Sequence, residues 1–368
     1  MLMEYDSIDD ILKRFLPENE LQEVNRILYG NQKNPRHLGS ENLPDYYIEK
    51  YRFEGFSRNR LNARMIKVAA IQHSIVLPTN EPIREQKMKL FEKIGKIIEK
   101  GAALGVNIVC LTETWNMPFG FCTRQKMPWC EYGEDCENGP TTMFLKRLAQ
   151  QYRMVIISPI LERDSNCGDI LWNTAVVISE CGKILGKQRK NHIPMNGECE
   201  YYTHGTTGPQ VFNTTFGIIG VTICFDRHHP QNWMAMAMNG AEIVFNPATT
   251  AVNEHWWPVE ARSAAFDHSY YTVAINRVGT EKFTLESGAK KVFGPCFGST
   301  YITAPDGGRT KSLSRHRDGM LYAELDLDLC KQMREKCGFH ESHRLSYYKN
   351  KWIQAADTSY IPQIIPQK

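Results

Sequence analysis

Residues 216–230 read FGIIGVTICFDRHHP: an apolar run ending at Cys224, a short polar turn, then a proline at the first turn of a helical stretch. Apolar runs of this length, rich in Ile and Val, are strands. A strand that turns directly into a helix presents the residue at its elbow on the crest of a sheet. There the free N–H groups of the helix start favour a thiolate and can hold an oxyanion. Cys224 is thus a candidate nucleophile, with the backbone N–H of Phe225 as a candidate oxyanion donor. Position alone does not separate this from the commonest fate of a free thiol, burial as a small apolar side chain.

Outward from this elbow the same text recurs. MIKVAAI (65–71), VNIVCL (106–111), MVIISPI (154–160), NTAVVIS (173–179), AEIVF (241–245), YTVAI (271–275), STYITA (299–304) and MLYAELDL (320–327) all read as strands. Between the first two, Ile83, Leu90, Phe91, Ile94, Ile97, Ile98 and Leu104 recur at helical spacing, with Pro82 at the start and Gly105 past the end. Further helices are expected near 141–152 and over 229–239, the latter closed by Gly240. A turn at CGK (181–183) folds NTAVVIS back on ILGKQRK, so the sheet system is mixed. Residues 65–330 therefore read as one α/β domain. Residues 1–64 read as a helical arm with an apolar stripe at Ile8, Ile11, Leu12, Phe15, Leu21, Val24, Ile27 and Leu28, and the aromatic tail 331–368 as a second arm, packed on the domain or on a neighbouring subunit.

Composition narrows the classes. The net charge of +3 is spread over 44 basic and 41 acidic residues and gives no electrostatic reason to expect nucleic acid or an anionic membrane. No window approaches the roughly 18 apolar residues of a membrane span, and the acidic N-terminus lacks a signal-peptide core, so a cytoplasmic protein is expected. The eleven cysteines are odd in number and without repeated spacing, as free cytosolic thiols are. Neither Cys130 with Cys136 nor Cys330 with Cys337 has the C-x2-C spacing of a zinc site.

Two other strand ends carry reactive groups. Glu113 follows VNIVCL, at the edge where open α/β sheets form their crevice; held against Trp115 and Phe119 it could serve as a general base, or else be an exposed loop residue. Lys190 closes ILGKQRK and, beside a carboxylate and a thiolate, would stabilise a tetrahedral oxyanion, although a surface lysine is the ordinary reading. His192, His228 and His229 offer a rival Cys–His or metal arrangement. Arg124 and Arg227 could grip a substrate carboxylate or be simple ion-pair residues.

The order Glu, Lys, Cys at three strand ends, met as LTETW, RKNHIP and TICFDRHHP, resembles the nitrilase (carbon-nitrogen hydrolase) superfamily. Within it the chain is most similar to the eukaryotic β-ureidopropionase (β-alanine synthase) branch, through LQEVNRILYG, NMPFGFCTR, PWCEYGEDCENGPTT, SPILERD, NGAEIVFNP, WPVEAR, INRVGTE and LSRHRDG. The resemblance implies an α-β-β-α sandwich, homo-oligomers, no cofactor and no metal. It also implies hydrolysis of N-carbamoyl-β-alanine to β-alanine, ammonia and carbon dioxide in cytosolic pyrimidine breakdown. The family's second glutamate falls on Glu198, anchored on Tyr201 and Tyr202, after a run shorter than the branch usually carries. ATTAVNEHW and KFTLESGAKKVFGPC are also short, and Asp226 stands where the branch has glycine. These differences bear on substrate fit, and leave open another amidase of the same scaffold or a silent, assembly-forming member.

Overall fold

The computed structural model describes residues 5–30, 34–56 and 63–366. In chain order its helices and strands are α1 Ile8–Phe15, α2 Glu18–Tyr29, β1 Arg36–Asn42, β2 Tyr47–Phe53, β3 Met65–Gln72, α3 Ile83–Ala103, β4 Ile108–Cys110, α4 Pro140–Tyr152, β5 Val155–Asp164, β6 Ile170–Ile178, β7 Ile184–Arg189, β8 Val211–Thr214, β9 Gly217–Val221, α5 Pro230–Met238, β10 Ile243–Ala248, α6 Trp257–His268, β11 Tyr271–Asn276, β12 Val278–Thr284, β13 Lys290–Phe297, β14 Tyr301–Thr303, β15 Gly319–Asp326, α7 Asp328–Cys337 and α8 Leu345–Ala356. Each strand expected from an apolar run is present, as are the helices at 83–103, 140–152 and 230–238.

Two sheets lie face to face. The larger has the order β1-β2-β15-β3-β4-β5-β6-β7 and the smaller β14-β11-β10-β9-β8. Both are mixed: β3, β4 and β5 run parallel while β6 and β7 return antiparallel, and β9, β10 and β11 are parallel with antiparallel edges. Because side chains alternate along a strand, Val68, Ala70 and Ile108 of one sheet meet Ile219, Phe245 and Val273 of the other in a shared core. The opposite faces, Ala69, Ile71 and Val109 on one side and Val244 and Ala274 on the other, are covered by α3 with α4 and by α5 with α6. This is an α-β-β-α sandwich.

The domain begins earlier than the sequence reading placed it. Residues 1–64 are not simply a helical arm: α1 and α2 end at Tyr29, and β2 is built into the larger sheet, paired in parallel with β15 from Gly319↔Tyr47 to Leu325↔Phe53. Along YIEKYRF, Tyr47, Tyr51 and Phe53 face the inter-sheet core at odd positions while Ile48 is buried on the opposite face, an alternation masked in sequence by three charged residues. Part of that span, 1–4, 31–33 and 57–62, lies outside the described residues, as do 367 and 368 of the tail. The helices dock on α6 and the loop before β15, where Arg262 donates to the Leu28 carbonyl and Lys311 pairs with Asp9. In the tail, α7 sends Leu329, Cys330 and Met333 into the inter-sheet core, whereas α8 buries none of its residues. No helix among the described residues is long and apolar enough to cross a membrane.

Candidate active site

The C-terminal ends of β4, β7, β9, β10 and β11 converge, so residues that follow different strands of different sheets become neighbours. Glu113 lies three residues past β4, is fully buried, and is held from all sides. Its Oε1 accepts from Lys190 Nζ at 2.8 Å and from Asn173 Nδ2 at 2.7 Å; its Oε2 accepts the Thr249 N–H at 2.9 Å. The Thr249 hydroxyl and the Arg277 guanidinium donate to the Glu113 main-chain carbonyl, and Arg277 also holds the carbonyls of Thr114 and Met117. Thr114 has φ +43°, a left-handed conformation costly for a β-branched residue, and these bonds keep the turn in place.

Lys190 follows β7 directly and its side chain is fully buried between Glu113 and Glu198, the latter at 2.6 Å. Burial alone would drive the ammonium pKa down; the two carboxylates more than offset this and hold it well above its ordinary value, so Lys190 is charged. Glu198 sits on a short helical turn, its carboxylate also accepting from the Tyr202 hydroxyl. Its pKa is raised, chiefly by burial and further by Glu113, against the opposing pull of Lys190.

Cys224 is at the elbow after β9, in a turn of Cys224–His228 that leads into α5, and has φ +44°. Only this unusual backbone angle lets the strand turn so sharply into the helix, as strained residues at active sites often do. The thiol is pushed well above its usual pKa, first by burial and then by the Glu113 charge, with Lys190 acting the other way. At neutral pH it is therefore a thiol that needs a base to become a nucleophile.

One carboxylate ties this elbow to the lysine. Asp226 is fully buried and accepts the N–H of Ile223 at 3.0 Å, of His192 at 2.8 Å and of Asn191 at 3.1 Å. His192 Nδ1 contacts it as well, at 2.9 Å, and the His192 ring stacks on His229 with centroids 3.6 Å apart; His228 pairs instead with Glu260. The three histidines thus serve carboxylates and each other. Among the described residues no group of three His, Cys, Asp or Glu side chains could hold a metal, and all eleven cysteines are free.

Cys224 and Glu198 open into a cavity of about 510 Å³, walled by Phe119, Phe225, Trp256 and Phe297, a size suited to a small molecule. Arg227 lines it, but its guanidinium donates to Glu260, Asn246 and the Trp257 carbonyl and stacks on the Trp257 ring at 3.9 Å. Arg124 is not in the cavity: it is exposed, pairing with Asn196 and Glu200. A long flexible side chain in FCTR could not be aimed from sequence. Sequence reading also passed over Asn173, Thr249 and Arg277. The strand-end position that singled out Glu113 would have found Thr249 and Arg277; Asn173 lies inside β6 and carried no such signal.

Comparison with known proteins places these residues in a wider set. The family model described as carbon-nitrogen hydrolase matches residues 67–335. The chain is 44% identical to beta-ureidopropionase of Arabidopsis thaliana over 98% of its own length and 93% of the relative's. It is 29% identical to N-carbamoylputrescine amidase of Oryza sativa subsp. japonica, covering 77% of this chain and 93% of the other. A crystal structure of a carbon-nitrogen hydrolase from Helicobacter pylori G27 superposes with TM-score 0.68 and 27% identity, covering 78% of this chain and 98% of the other.

Proposed function

From the premise that this chain belongs to the carbon-nitrogen hydrolase family, we propose that it hydrolyses N-carbamoyl-β-alanine to β-alanine, ammonia and carbon dioxide through a covalent intermediate on Cys224. The observation that carries the reading is a buried, charged lysine shared by two glutamates, one of which, Glu198, lines the cavity together with Cys224, in a chain similar over nearly its whole length to a beta-ureidopropionase.

Glu113 Oε1 already accepts two hydrogen bonds and Oε2 only one, so Oε2 is the oxygen with room for the Cys224 proton. The sulfur then attacks the ureido carbonyl, and the oxyanion is held by Lys190 and the Phe225 N–H. Two of the three ammonium protons are committed to Glu113 and Glu198, which leaves the third for that oxygen. Collapse expels ammonia with the proton returned from Glu113, leaving an S-carbamoyl bond between sulfur and carbonyl carbon. A water deprotonated by Glu113 and steadied by Glu198 attacks that carbon, and the sulfur departs. The released N-carboxy-β-alanine loses carbon dioxide to give β-alanine. No cofactor enters these steps. Of the two arginines, Arg227 at the cavity wall is the one left to attract the substrate carboxylate.

The setting that fits is cytosolic pyrimidine breakdown by a homo-oligomer. The exposed Tyr348, Trp352, Ile361 and Ile365 of α8 and the segment beyond it support a second copy as partner. Ammonia release from a panel of carbamoyl compounds tests the substrate. N-carbamoyl-β-alanine is expected to exceed N-carbamoylglycine in kcat/KM by about tenfold or more, the discrimination one methylene allows. If the order reverses, or if the cationic N-carbamoylputrescine or a simple amide outruns both, the substrate assignment fails while the Cys224 chemistry stands.

A further inference from the structure

The hydrogen bonds of the site close on themselves. Lys190 Nζ donates to Glu113 Oε1 at 2.8 Å and to Glu198 Oε2 at 2.6 Å. The Tyr202 hydroxyl donates to the same Oε2 of Glu198. Asn173 Nδ2 returns the path, donating to the Tyr202 oxygen at 3.1 Å and to Glu113 Oε1 at 2.7 Å. The direction of each bond is forced: an ionised carboxylate only accepts, so the amide nitrogen of Asn173, with its two hydrogens, must face Glu113 and Tyr202. Tyr202 then accepts one bond and gives one. All five side chains are buried, and of them only Glu198 lines the cavity.

Building on the hydrolytic reading above, we propose that Asn173 and Tyr202 are positioning residues: they close the ring that fixes Glu113, Lys190 and Glu198 relative to one another and so aim the third Lys190 proton at the oxyanion. Without them the two glutamates would be joined only through the lysine: the Glu198 carboxylate could rotate away from it, and the Glu113 carboxylate would keep only the Thr249 N–H as a second anchor. The ring draws on three parts of the chain: Asn173 from β6, Lys190 from the end of β7, and Glu198 with Tyr202 from the turn that follows. Packing alone does not require the hydroxyl of Tyr202, since its ring already lies edge-to-face against Phe121 with centroids 4.8 Å apart, a contact phenylalanine would keep.

The charged and titratable groups facing Glu198 are Lys190, Glu113, Tyr202 and, across the cavity floor, Cys224. Tyr202 opposes the burial that raises the Glu198 pKa by donating to its ionised form. Loss of the hydroxyl lifts that pKa further. Glu198 then protonates, and ceases to hold Lys190, at a higher pH than in the parent enzyme, so the acid limb of kcat/KM moves upward.

Tyr202→Phe and Asn173→Ser in the full chain test this. Both are expected to lower kcat about ten- to a hundredfold, the worth of a hydrogen bond to a charged group, with KM little changed and the acid limb shifted to higher pH. A second readout needs no substrate: the pH dependence of iodoacetamide alkylation at Cys224, followed by peptide mass, should show slower reaction near neutral pH in both variants. If the parent enzyme fails on N-carbamoyl-β-alanine but the alkylation difference persists, the substrate reading falls and the ring stands. Should Asn173→Ser fail to fold, Tyr202→Phe decides. Parental kcat, acid limb and alkylation in Tyr202→Phe, or a lowered melting temperature with all three unchanged, would overturn the proposal.

Discussion

Replacing Lys190 by methionine keeps an unbranched side chain, one heavy atom shorter, and removes the charge together with its N–H donors, and its consequences can be worked out from the geometry. At 2.6 and 2.8 Å from two carboxylates, and at an effective dielectric of about 20, each contact is worth on the order of 6 kcal/mol of attraction. That gain is largely offset by the desolvation of three charges, several kcal/mol apiece. The intact cluster therefore adds little net stability. Removal of its one cation is another matter, because it leaves two buried carboxylates facing each other without compensation, at a cost of about 3–5 kcal/mol. The pH dependence follows from sign. The Glu198 pKa, already raised in the folded protein, rises further without the lysine, and a carboxyl whose folded pKa exceeds its unfolded one stabilises the fold in acid and ceases to do so as pH rises through the folded value. The stability deficit of Lys190→Met should thus be smaller near about pH 5.5 than near about pH 8. Urea unfolding at the two pH values measures it. Activity should fall by about two to three orders of magnitude, as when an oxyanion donor is lost. A deficit independent of pH, or a kcat within a few-fold of the parent, would refute the view that Lys190 compensates both glutamates and steadies the transition state.

Cys224→Ala should abolish turnover without unfolding the chain, and the substrate-derived mass adduct seen on brief incubation of the parent protein should vanish with it. If Glu113 is the base that takes the Cys224 proton, alkylation in Glu113→Gln should be slower at neutral pH than in the parent protein, although the lost charge is one that raises the thiol pKa; an unchanged or faster rate would remove Glu113 as the base. Exhaustive chelation should leave ammonia release intact, and loss restored by zinc would instead point to the histidines around Asp226. Deletion of α1 and α2 uncovers the surface that Arg262 and Lys311 now engage, so sedimentation or solubility should change; if neither does, the helices are merely appended.

Much of this architecture was legible in the chain because the sandwich core is built from Val- and Ile-rich runs, and each such run is a strand. The helices that show a strong apolar stripe, such as α3, were equally plain. What escaped detection had a physical reason. β2 carries three charged residues in seven, α6 buries Ala261, Ala264 and Ala265 with Trp257 as its one bulky buried residue, and the β12–β13 hairpin follows β11 after a single residue without an intervening turn signal. In the site, Glu113, Lys190 and Cys224 could be picked out by strand-end position and by the superfamily's order. Glu198 needed the resemblance, anchored on Tyr201 and Tyr202. Arg124 stayed open between a substrate contact and an ion pair because sequence gives a side chain's chemistry but not its direction; it pairs with Glu200 at the surface. Asn173 was missed because only the tertiary meeting of β6 with the strand ends makes its amide significant.

Asp226 gives the molecule a freedom that its shared core alone would deny it. Two sheets packed through smooth aliphatic side chains can slide and tilt by small amounts whenever a core methyl is gained or lost, and here Lys190 follows the one sheet while Cys224 follows the other. A single carboxylate that accepts N–H groups from both strand exits sets the spacing of Cys224 and Lys190 locally, like a pin through two leaves of a hinge. Drift in the sandwich, Ile to Val or Leu to Met, is then absorbed away from the reaction centre. The interior can then change while the two strand exits keep their spacing, with one buried carboxylate, and the bonds of Thr249 and Arg277 to Glu113 beside it, answering for the fit.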